Sequence, residues 1–232
     1  MKPKDLKPPF KWGEQYTTIQ DKIFYTFEPF GKETLHFEFP GWDHPDVFGN
    51  DQPVKIEYCS GHGHWIAHQA LTDPEVNWVA VEKLFVRLRK IWSKMKNYSL
   101  NNLFSVCGEA YDITKRYIPS ASVTEVYVNF PDPWPKKKHA KYRLIQPAFI
   151  EEIYRILKPE GTITLVTDDE NYSIQMMEVL NSQPGFISCY PEPYFCTSRE
   201  GYGNSFFEDL WREKGKGIRY LLYQKVEVTY DL

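Results

Sequence analysis

From residue 54 onward, short apolar segments alternate with segments of helical period, and this alternation restricts the fold more than any other feature. The helical period is clear at 84–96, where Leu84, Leu88 and Ile91 share one face. Strands that alternate with helices predict an α/β fold with a doubly wound, mainly parallel sheet. We predict seven strands, at 54–59, 77–81, 103–107, 123–128, 162–167, 186–190 and 218–228. Helices are predicted at 64–71, 84–96, 113–117, 147–157, 171–180 and 205–214, with a turn at 158–161.

Acidic residues stand at or just after the carboxyl ends of several predicted strands. Doubly wound sheets bind ligands in the crevice outside the carboxyl ends of their strands. We therefore expect a ligand site that includes Glu57, Glu82, Glu109, Asp132 and Asp168.

Residues 1–53 precede the alternating pattern, and they are rich in aromatic residues without a clean period. We interpret them as an N-terminal extension that packs on a main domain at 54–232, with a short strand at 34–39. The first twelve residues contain several lysines and prolines, so we expect this segment to be mobile. A chain of 232 residues has room for one such domain and its extension.

The composition limits the partners and the compartment. The net charge is −3, so any nucleic-acid site must be a local basic patch, and 136–143 is the densest candidate. No apolar run approaches the roughly 18 residues that a membrane span needs, so we expect no membrane partner. The four cysteines form no C-x-x-C pair and no signal leader opens the chain, which favours a reduced, cytoplasmic setting.

A turn with two glycines, Gly61 and Gly63, follows the first strand of the main domain. Glu82 lies 21 positions after Gly61, about the spacing of an acid that contacts a cofactor ribose. A dinucleotide site needs a third glycine, and Glu57 would repel a pyrophosphate. Glu57 would instead attract a cationic ligand such as S-adenosylmethionine, and Glu109 is placed for its adenine. The alternative is that Glu82 and Glu109 are ordinary solvated strand ends.

The same turn contains a cysteine and histidines that suggest a zinc site. These residues are Cys59, His62, His64 and His68, of which His64 and His68 would share one helical face. Zinc sites usually show clearer ligand pairs that flank a loop. We therefore predict no metal here.

Residues 129–143 read N-F-P-D-P-W-P-K-K-K-H-A-K-Y-R, and prolines occupy every second position at its start. Each proline fixes its own φ and favours an extended conformation in the residue before it. We therefore predict that Phe130, Asp132 and Trp134 lie on a stiff, extended backbone. A fixed carboxylate beside aromatic rings and a cationic run suits binding of a base and of phosphates. The alternative is a surface loop with solvated lysines.

The motifs together resemble those of the bacterial tRNA (guanine-N7-)-methyltransferases, and they extend over most of the chain. The proline-containing motif with its lysines is the specific one, whereas many folds share the glycine turn. The motifs read E-Y-C-S-G-H-G at 57–63, V-E at 81–82, C-G-E-A at 107–110, N-F-P-D-P-W-P-K-K at 129–137, T-D at 167–168 and S-F-F-E at 205–208.

The resemblance implies a class I, Rossmann-like enzyme that methylates N7 of a guanosine in tRNA, the variable-loop guanosine, with S-adenosylmethionine as methyl donor. It implies that Asp132 is the catalytic carboxylate. The residues implied for S-adenosylmethionine are Glu57, Gly61, Gly63, Glu82, Glu109 and Asp132. The residues implied for tRNA are Lys136, Asp168, Ser205 and Glu208. We expect a monomer or a homodimer.

Three residues depart from the family pattern. Cys59 stands where the family usually has the first glycine of its turn. Glu109 replaces an aspartate and is one methylene longer, and Ser205 replaces a threonine while it keeps the hydroxyl.

Two of the implied tRNA sites also have local structural interpretations. Ser205 and Glu208 fit a capping box, in which the serine caps a helix and the glutamate bonds back to it. Asp168, with Asp169 and Glu170, fits an acidic cluster at the start of a helix. The sequence leaves both alternatives open.

The chemistry of guanine N7 suggests a mechanism. N7 carries a lone pair and no proton, so no general base is needed, and the enzyme's task is alignment and electrostatics. We expect Asp132 to stabilise the positive charge that grows on the guanine ring. Residues 136–143 would hold phosphates, and Phe130 or Trp134 would stack on a base.

Three other classes of protein are considered. A nicotinamide-dependent oxidoreductase is disfavoured by the missing third glycine and by the Pro-Asp-Pro-Trp loop. A non-catalytic RNA-binding protein with a decayed cofactor site is suggested only by Cys59 and Glu109. A methyltransferase acting on the amino group of adenine often has N-P-P-[YF] after its fourth strand, and this chain has a different motif there.

Overall fold

The computed structural model describes residues 1–9, 16–27, 37–200, 202 and 206–228. The chain forms two compact units, Met1–Pro119 and Ser120–Leu232. The first unit contains β1 (Tyr16–Gln20), β2 (Ile23–Phe27), β3 (Val54–Tyr58), α1 (His64–Thr72), β4 (Asn77–Glu82), α2 (Phe85–Asn97), β5 (Leu103–Cys107) and α3 (Ala110–Tyr117).

The strands of the first unit lie in the order β1-β2-β5-β4-β3. The pairs β3–β4, β4–β5 and β2–β5 are parallel, and only β1 runs antiparallel to its neighbour β2. All residues of β4 and β5 are buried, as expected for strands covered on both faces. The predicted alternation of strands and helices is confirmed here, with bounds within a few residues of those predicted.

The hairpin β1–β2 in the extension was not predicted. Its turn residues, Asp21 and Lys22, have φ of 56° and 59°, as a two-residue type I′ turn requires. Asn-Gly or Asp-Gly normally signals such a turn, and Asp-Lys does not. β2 pairs with β5, so the extension continues the sheet of this unit. Of the strand predicted at 34–39, residues 34–36 lie outside the described residues, and 37–39 form no strand.

The first six residues are held on α2, so the prediction of a mobile segment is wrong for them. Pro3–Asp5 form a short 3-10 helix. Arg89 donates from Nε to the carbonyl of Pro3 at 2.8 Å, and Ser93 donates from Oγ to the carbonyl of Met1 at 2.7 Å. The Leu6 side chain is buried in an apolar cluster that includes Leu88, Trp92, Ile23 and Tyr25. Residues 10–12 lie outside the described residues.

The second unit contains β6 (Val123–Asn129), α4 (Pro147–Ile156), β7 (Leu157–Thr167), α5 (Glu170–Asn181), β8 (Phe186–Ser188), α6 (Phe206–Glu213) and β9 (Arg219–Lys225). A 3-10 helix at Lys137–Tyr142 precedes α4. The strand order is β6-β7-β9-β8, with β6–β7 parallel and the other two pairs antiparallel. The described part of 54–228 thus contains seven strands, as predicted.

The turn predicted at 158–161 is a bulge inside β7. From Val123 to Glu125 on β6 the partner on β7 advances from Leu157 to Thr162, so β7 has extra residues over this stretch. Glu160 has a φ of 62°, and a Cβ on Gly161 would lie 2.9 Å from the carbonyl oxygen of Lys158. The chain thus turns locally while the strand continues. None of the helices that the structure describes has both the length and the apolarity to cross a membrane.

Candidate active site

The turn between β3 and α1 has left-handed backbone at three positions. Cys59, Gly61 and Gly63 have φ of 60°, 55° and 67°. A Cβ on Gly63 would lie 2.7 Å from Cγ1 of Ile91, so glycine is also required there for packing against α2. Only glycine adopts these angles easily, and a non-glycine residue there costs about 1–3 kcal/mol. The cysteine that departs from the family pattern is therefore strained.

Glu82, at the end of β4, is joined directly to this turn. Its side chain is 3% exposed. Its carboxylate accepts hydrogen bonds from the amide of Gly61 at 2.9 Å and from the amide of Leu84 at 2.8 Å. Burial raises the pKa of Glu82, while the two amides and the Arg87 guanidinium, 3.9 Å away, act in the opposite direction. The interpretation of Glu82 as a solvated strand end is wrong.

Glu57 is also buried, at 2% exposure, next to the end of β3. Glu57 is close enough to act on the Cys59 thiol. The pKa of that thiol is raised to about 12, first by burial and then by the carboxylates of Glu82, Glu57 and Glu109. Lys83 acts in the opposite direction. The structure thus gathers three of the predicted acids around the turn. Such a negative site suits a cationic ligand better than a pyrophosphate.

Glu109 differs from the other two acids because its side chain is 63% exposed. It precedes α3 and forms an ion pair with Lys83 at 3.5 Å. The neighbouring Gly108 donates its amide to the carbonyl of Glu82 at 3.3 Å. A Cβ on Gly108 would lie 2.2 Å from Oγ1 of Thr26 in β2. The N-terminal hairpin therefore packs directly on the loop that carries Glu109.

The zinc interpretation gains no support from the structure. Among the described residues, no group of three or more His, Cys, Asp or Glu is arranged to hold a metal ion. His62 instead contacts Nζ of Lys90 through its Nε2 at 3.1 Å. The absence of a metal stays a prediction.

The proline loop after β6 is not extended in the way that we predicted. Phe130 and Trp134 have φ of 49° and 43°, so two of the three residues that precede prolines are left-handed. At Phe130 the amide donates to the carbonyl of Val166 at 2.8 Å, and the ring packs in the cluster of Val166, Ile218 and Tyr220. Tertiary contacts therefore override the local preference of a residue before proline.

Asp132 lies between these two residues, and its side chain is exposed. Its Oδ1 accepts a hydrogen bond from the amide of Trp134 at 3.3 Å. Arg143 closes the loop, because its Nε donates to the carbonyl of Pro133 at 2.7 Å. The same guanidinium donates to Oε1 of Gln175 at 2.6 Å and lies 4.8 Å from the ring centroid of Tyr172. In this structure the Arg143 side chain holds the loop in place, and its contact with phosphate stays a prediction.

The lysines of this segment differ from Arg143. Lys136, Lys138 and Lys141 are exposed, and none of them joins an ion pair within the described part of the chain. The side chain of Lys137 lies outside the described residues. Their contact with phosphate stays a prediction.

Asp168, at the end of β7, forms an ion pair with Lys216 at 2.5 Å. The helix cap of α5 is instead Asp169, whose Oδ1 accepts the amide of Tyr172 at 2.8 Å. Glu170 pairs with Arg219 at 2.6 Å. The acidic helix start is thus real, but Asp169 makes the cap and Asp168 points to a different partner.

Glu208 is buried, at 4% exposure, in α6. Its Oε1 accepts hydrogen bonds from the Tyr220 hydroxyl at 2.7 Å and from Nη2 of Arg212 at 3.1 Å. Burial and this carboxylate raise the pKa of Tyr220. Ser205 lies outside the described residues, so the capping box stays a prediction.

Several partners of the predicted residues were missed. Lys216 contacts Asp168, Tyr220 contacts Glu208, and the Tyr202 hydroxyl donates to Oδ1 of Asn129, the first residue of the proline motif. These pairs join different elements across many positions of the chain, so no local pattern could have indicated them. Covariation among relatives is the signal that would find such pairs.

Comparison with known proteins supports the same reading of the chain. A family model described as "Putative methyltransferase" matches residues 51–221. The tRNA (guanine-N(7)-)-methyltransferase of Chlamydia felis is 46% identical over 226 residues, which is 97% of this chain and 98% of that protein. The enzyme of the same name from Rubrobacter xylanophilus is 34% identical over 190 residues, covering 81% and 84%.

Solved structures of low sequence identity share the fold. TrmN from Thermus thermophilus superimposes with a TM-score of 0.56 at 18% identity, covering 75% of this chain and 45% of that one. The aminoglycoside resistance methyltransferase NpmB1 gives a TM-score of 0.54 at 18% identity, covering 75% and 87%. The predicted Rossmann-like class I fold is confirmed. On the similarity of its sequence over nearly its whole length, the chain belongs to the tRNA (guanine-N(7)-)-methyltransferase family.

Proposed function

We propose that this protein transfers a methyl group from S-adenosylmethionine to N7 of a guanosine in tRNA, the guanosine of the variable loop. The observation that carries the proposal is the full-length similarity to enzymes with that name. The acids of the glycine turn and the proline loop with Asp132 are the parts of the chain that we assign to this reaction.

The glycine turn is the proposed site for S-adenosylmethionine, which supplies an electrophilic methyl group on a positively charged sulfur. The chemistry of the residues fits this cation, because Glu57 and Glu82 are buried carboxylates beside Gly61. Each oxygen of Glu82 accepts one amide, and a carboxylate oxygen has capacity for a second hydrogen bond. We assign that capacity to the ribose hydroxyls. Gly63 and Glu109 complete the proposed cofactor set.

Asp132 is the proposed catalytic carboxylate. Guanine N7 has no proton, so this residue need not act as a base. Its negative charge would instead stabilise the positive charge that develops on the guanine ring, and it would accept hydrogen bonds from N1–H and the 2-amino group. A hydrogen bond from the Trp134 amide orients the carboxylate. The resemblance also implies that Asp132 contacts the cofactor, and we retain that contact as part of the proposal.

The proposed tRNA contacts are Lys136, Asp168, Ser205 and Glu208. Lys136 is exposed and suits a phosphate. Glu208 is buried, so we assign to Glu208 the role of holding α6 in place beneath the RNA. We propose that 54–232 is the catalytic domain, that 1–53 is an extension of it, and that the enzyme acts in the cytoplasm, where its tRNA substrate is.

The test is transfer of a labelled methyl group. The protein is incubated with methyl-labelled S-adenosylmethionine and a tRNA transcript, and the RNA is digested to nucleosides. We expect labelled 7-methylguanosine, and none from a transcript in which the variable-loop guanosine is replaced by adenosine. Label in a different nucleoside, or no label at all, would overturn the proposal. A nicotinamide dinucleotide that raises the Tm where S-adenosylmethionine does not would favour an oxidoreductase instead.

A further inference from the structure

Three aromatic rings of the proline loop form a cluster of their own, which we call the aromatic triad: Trp134, His139 and Tyr142. The centroid of the Trp134 ring lies 5.7 Å from that of His139 and 5.4 Å from that of Tyr142. His139 and Tyr142 are 6.0 Å apart. All three residues follow Asp132 within ten positions of the sequence.

Tyr142 is the exposed member of the aromatic triad. Its side chain is 56% exposed, whereas Trp134 and His139 are half-buried. This differs from Phe130, whose ring packs in the core cluster with Val166. A large aromatic ring that is more than half exposed beside two others offers a partly open apolar surface to a ligand.

The position of Tyr142 is fixed by its neighbours. It ends the 3-10 helix Lys137–Tyr142, and the next residue is Arg143, which is bonded to Pro133 and Gln175. The amide of Arg143 also donates to the carbonyl of Ala140 at 3.1 Å. Because the backbone that carries the ring is held in this way, little of it has to be ordered when a ligand binds.

One lysine lies against the aromatic triad, and two more belong to the same segment of the chain. Nζ of Lys141 lies 5.2 Å from the centroid of the Tyr142 ring, and Lys136 and Lys138 are exposed on the same segment. Exposed aromatic rings among cations are the chemistry by which proteins bind single-stranded nucleic acid, since rings stack on bases and cations attract phosphates. Sequence-specific recognition of RNA favours unstacked bases in loops, which are free to stack on a protein ring.

We propose that Tyr142, supported by Trp134 and His139, is a stacking platform for an unpaired base of tRNA next to the guanosine that is methylated. The link between the two is Asp132, which is bonded to the amide of Trp134. The inference rests on the proposed function for the identity of the RNA. It assigns a binding role to Tyr142, which the sequence motifs do not mark.

The test compares Tyr142→Ala, Tyr142→Phe and a matched control, Tyr98→Ala. Tyr98 is 55% exposed at the end of α2, so Tyr98→Ala removes an equally exposed ring from a different segment of the chain. A base–aromatic stack is worth about 1–3 kcal/mol, which is about 5- to 150-fold in Kd. We expect Tyr142→Ala to weaken tRNA binding by that factor, and Tyr142→Phe and Tyr98→Ala to bind within about twofold of wild type.

The salt dependence of binding distinguishes stacking from a phosphate contact. Loss of a stack removes no counterion-releasing contact, so the slope of log Kd against log salt should be unchanged in Tyr142→Ala. Wild-type affinity in Tyr142→Ala, or an equal loss in Tyr142→Phe, would overturn the proposal. Circular dichroism of each variant shows whether it is folded, and Tyr142→Phe retains the ring if Tyr142→Ala does not fold.

The binding assay and the methyl-transfer assay can fail separately. If wild-type protein forms 7-methylguanosine but Tyr142→Ala binds tRNA normally, the platform is wrong and the proposed function stands. If wild-type protein forms no 7-methylguanosine but Tyr142→Ala still loses affinity for tRNA, the platform stands and the proposed reaction is wrong.

Discussion

The amide of Gly61 donates a hydrogen bond of 2.9 Å to the carboxylate of Glu82, a residue 21 positions later in the chain. The bond ties the glycine turn after β3 to the end of β4, and a second amide, that of Leu84, holds the other carboxylate oxygen. A buried carboxyl group, held by two backbone amides, is thus preorganised at the proposed cofactor site, and burial raises its pKa.

Replacement of Glu82 by glutamine should weaken the binding of S-adenosylmethionine. The oxygen of the glutamine side chain can accept one of the two backbone N–H groups. Its NH₂ group then faces the other backbone N–H, and the negative charge of the carboxylate is absent. A hydrogen bond to a charged group is worth about 1.5–3 kcal/mol, so we expect Kd to rise about 10- to 150-fold by calorimetry. Glu75→Gln, which changes an exposed acid of the same unit, should bind normally. Wild-type affinity in Glu82→Gln would contradict this role.

The sequence predicted this part of the site well, because spacing carries the information. Parallel strands that alternate with helices bring their carboxyl ends to one edge, so Glu57 and Glu82 could be placed near Gly61 without coordinates. The side-chain contacts of the proline loop could not be predicted in the same way. Prolines suggest an extended backbone, but the packing of Phe130 against Val166 decides its φ.

Asp132→Asn should lower methyl transfer far more than it lowers affinity for S-adenosylmethionine. Asparagine keeps the side-chain oxygen that accepts the Trp134 amide, so the loop should persist and only the charge is lost. We expect the single-turnover rate to fall about 10²-fold or more, as for other losses of one preorganised electrostatic group. A variant with near-normal turnover would remove Asp132 from the mechanism.

Arg143→Ala should destabilise the protein without changing the salt dependence of tRNA binding. The guanidinium holds Pro133 and Gln175, so its loss should lower the free energy of unfolding by about 2 kcal/mol in urea titrations. Lys138→Ala is the matched variant, because the Lys138 side chain is exposed and holds no part of the loop that the structure describes. It should keep full stability and flatten the log–log salt slope by about 0.7–0.9. The reverse pattern would make Arg143 the phosphate ligand.

Gly108→Ala should destabilise the first unit through the N-terminal hairpin. The new Cβ would lie 2.2 Å from Oγ1 of Thr26 and 2.9 Å from Cδ1 of Ile113, and overpacking of this kind costs about 1–3 kcal/mol. Thr26→Ala removes the first contact, so the double variant should be more stable than the sum of the single changes predicts. Additive free energies would show that the hairpin and the Glu109 loop are not coupled.

The hairpin also shows where prediction from sequence failed. Its turn has the angles of a type I′ turn without glycine, and the aromatic residues around it have no clean period. The contact of Gly108 with Thr26 joins β2 to the loop after β5, and nothing in either segment alone indicates the other.

His62, within the glycine turn, should make the protein sensitive to acid. Burial, and then the charges of Lys90 and Arg87, lower the pKa of His62. A histidine in the unfolded chain takes up a proton near pH 6.5, whereas His62 in the folded protein takes it up only at a lower pH. The stability that His62 contributes is therefore present above that pH and is lost as the pH falls through the lower, folded pKa.

His62→Gln should therefore lose less stability than wild type between pH 7.5 and pH 5.0, measured as the free energy of unfolding in urea. Lys90→Met should raise the pKa of His62 in an NMR titration, because the ammonium lies 3.1 Å from Nε2. Lys115→Met removes the same charge from α3, where its ammonium lies over the Tyr111 ring, and should leave the His62 titration unchanged. If His62 has the same pKa in wild type, Lys90→Met and Lys115→Met, then Lys90 does not set the protonation of His62.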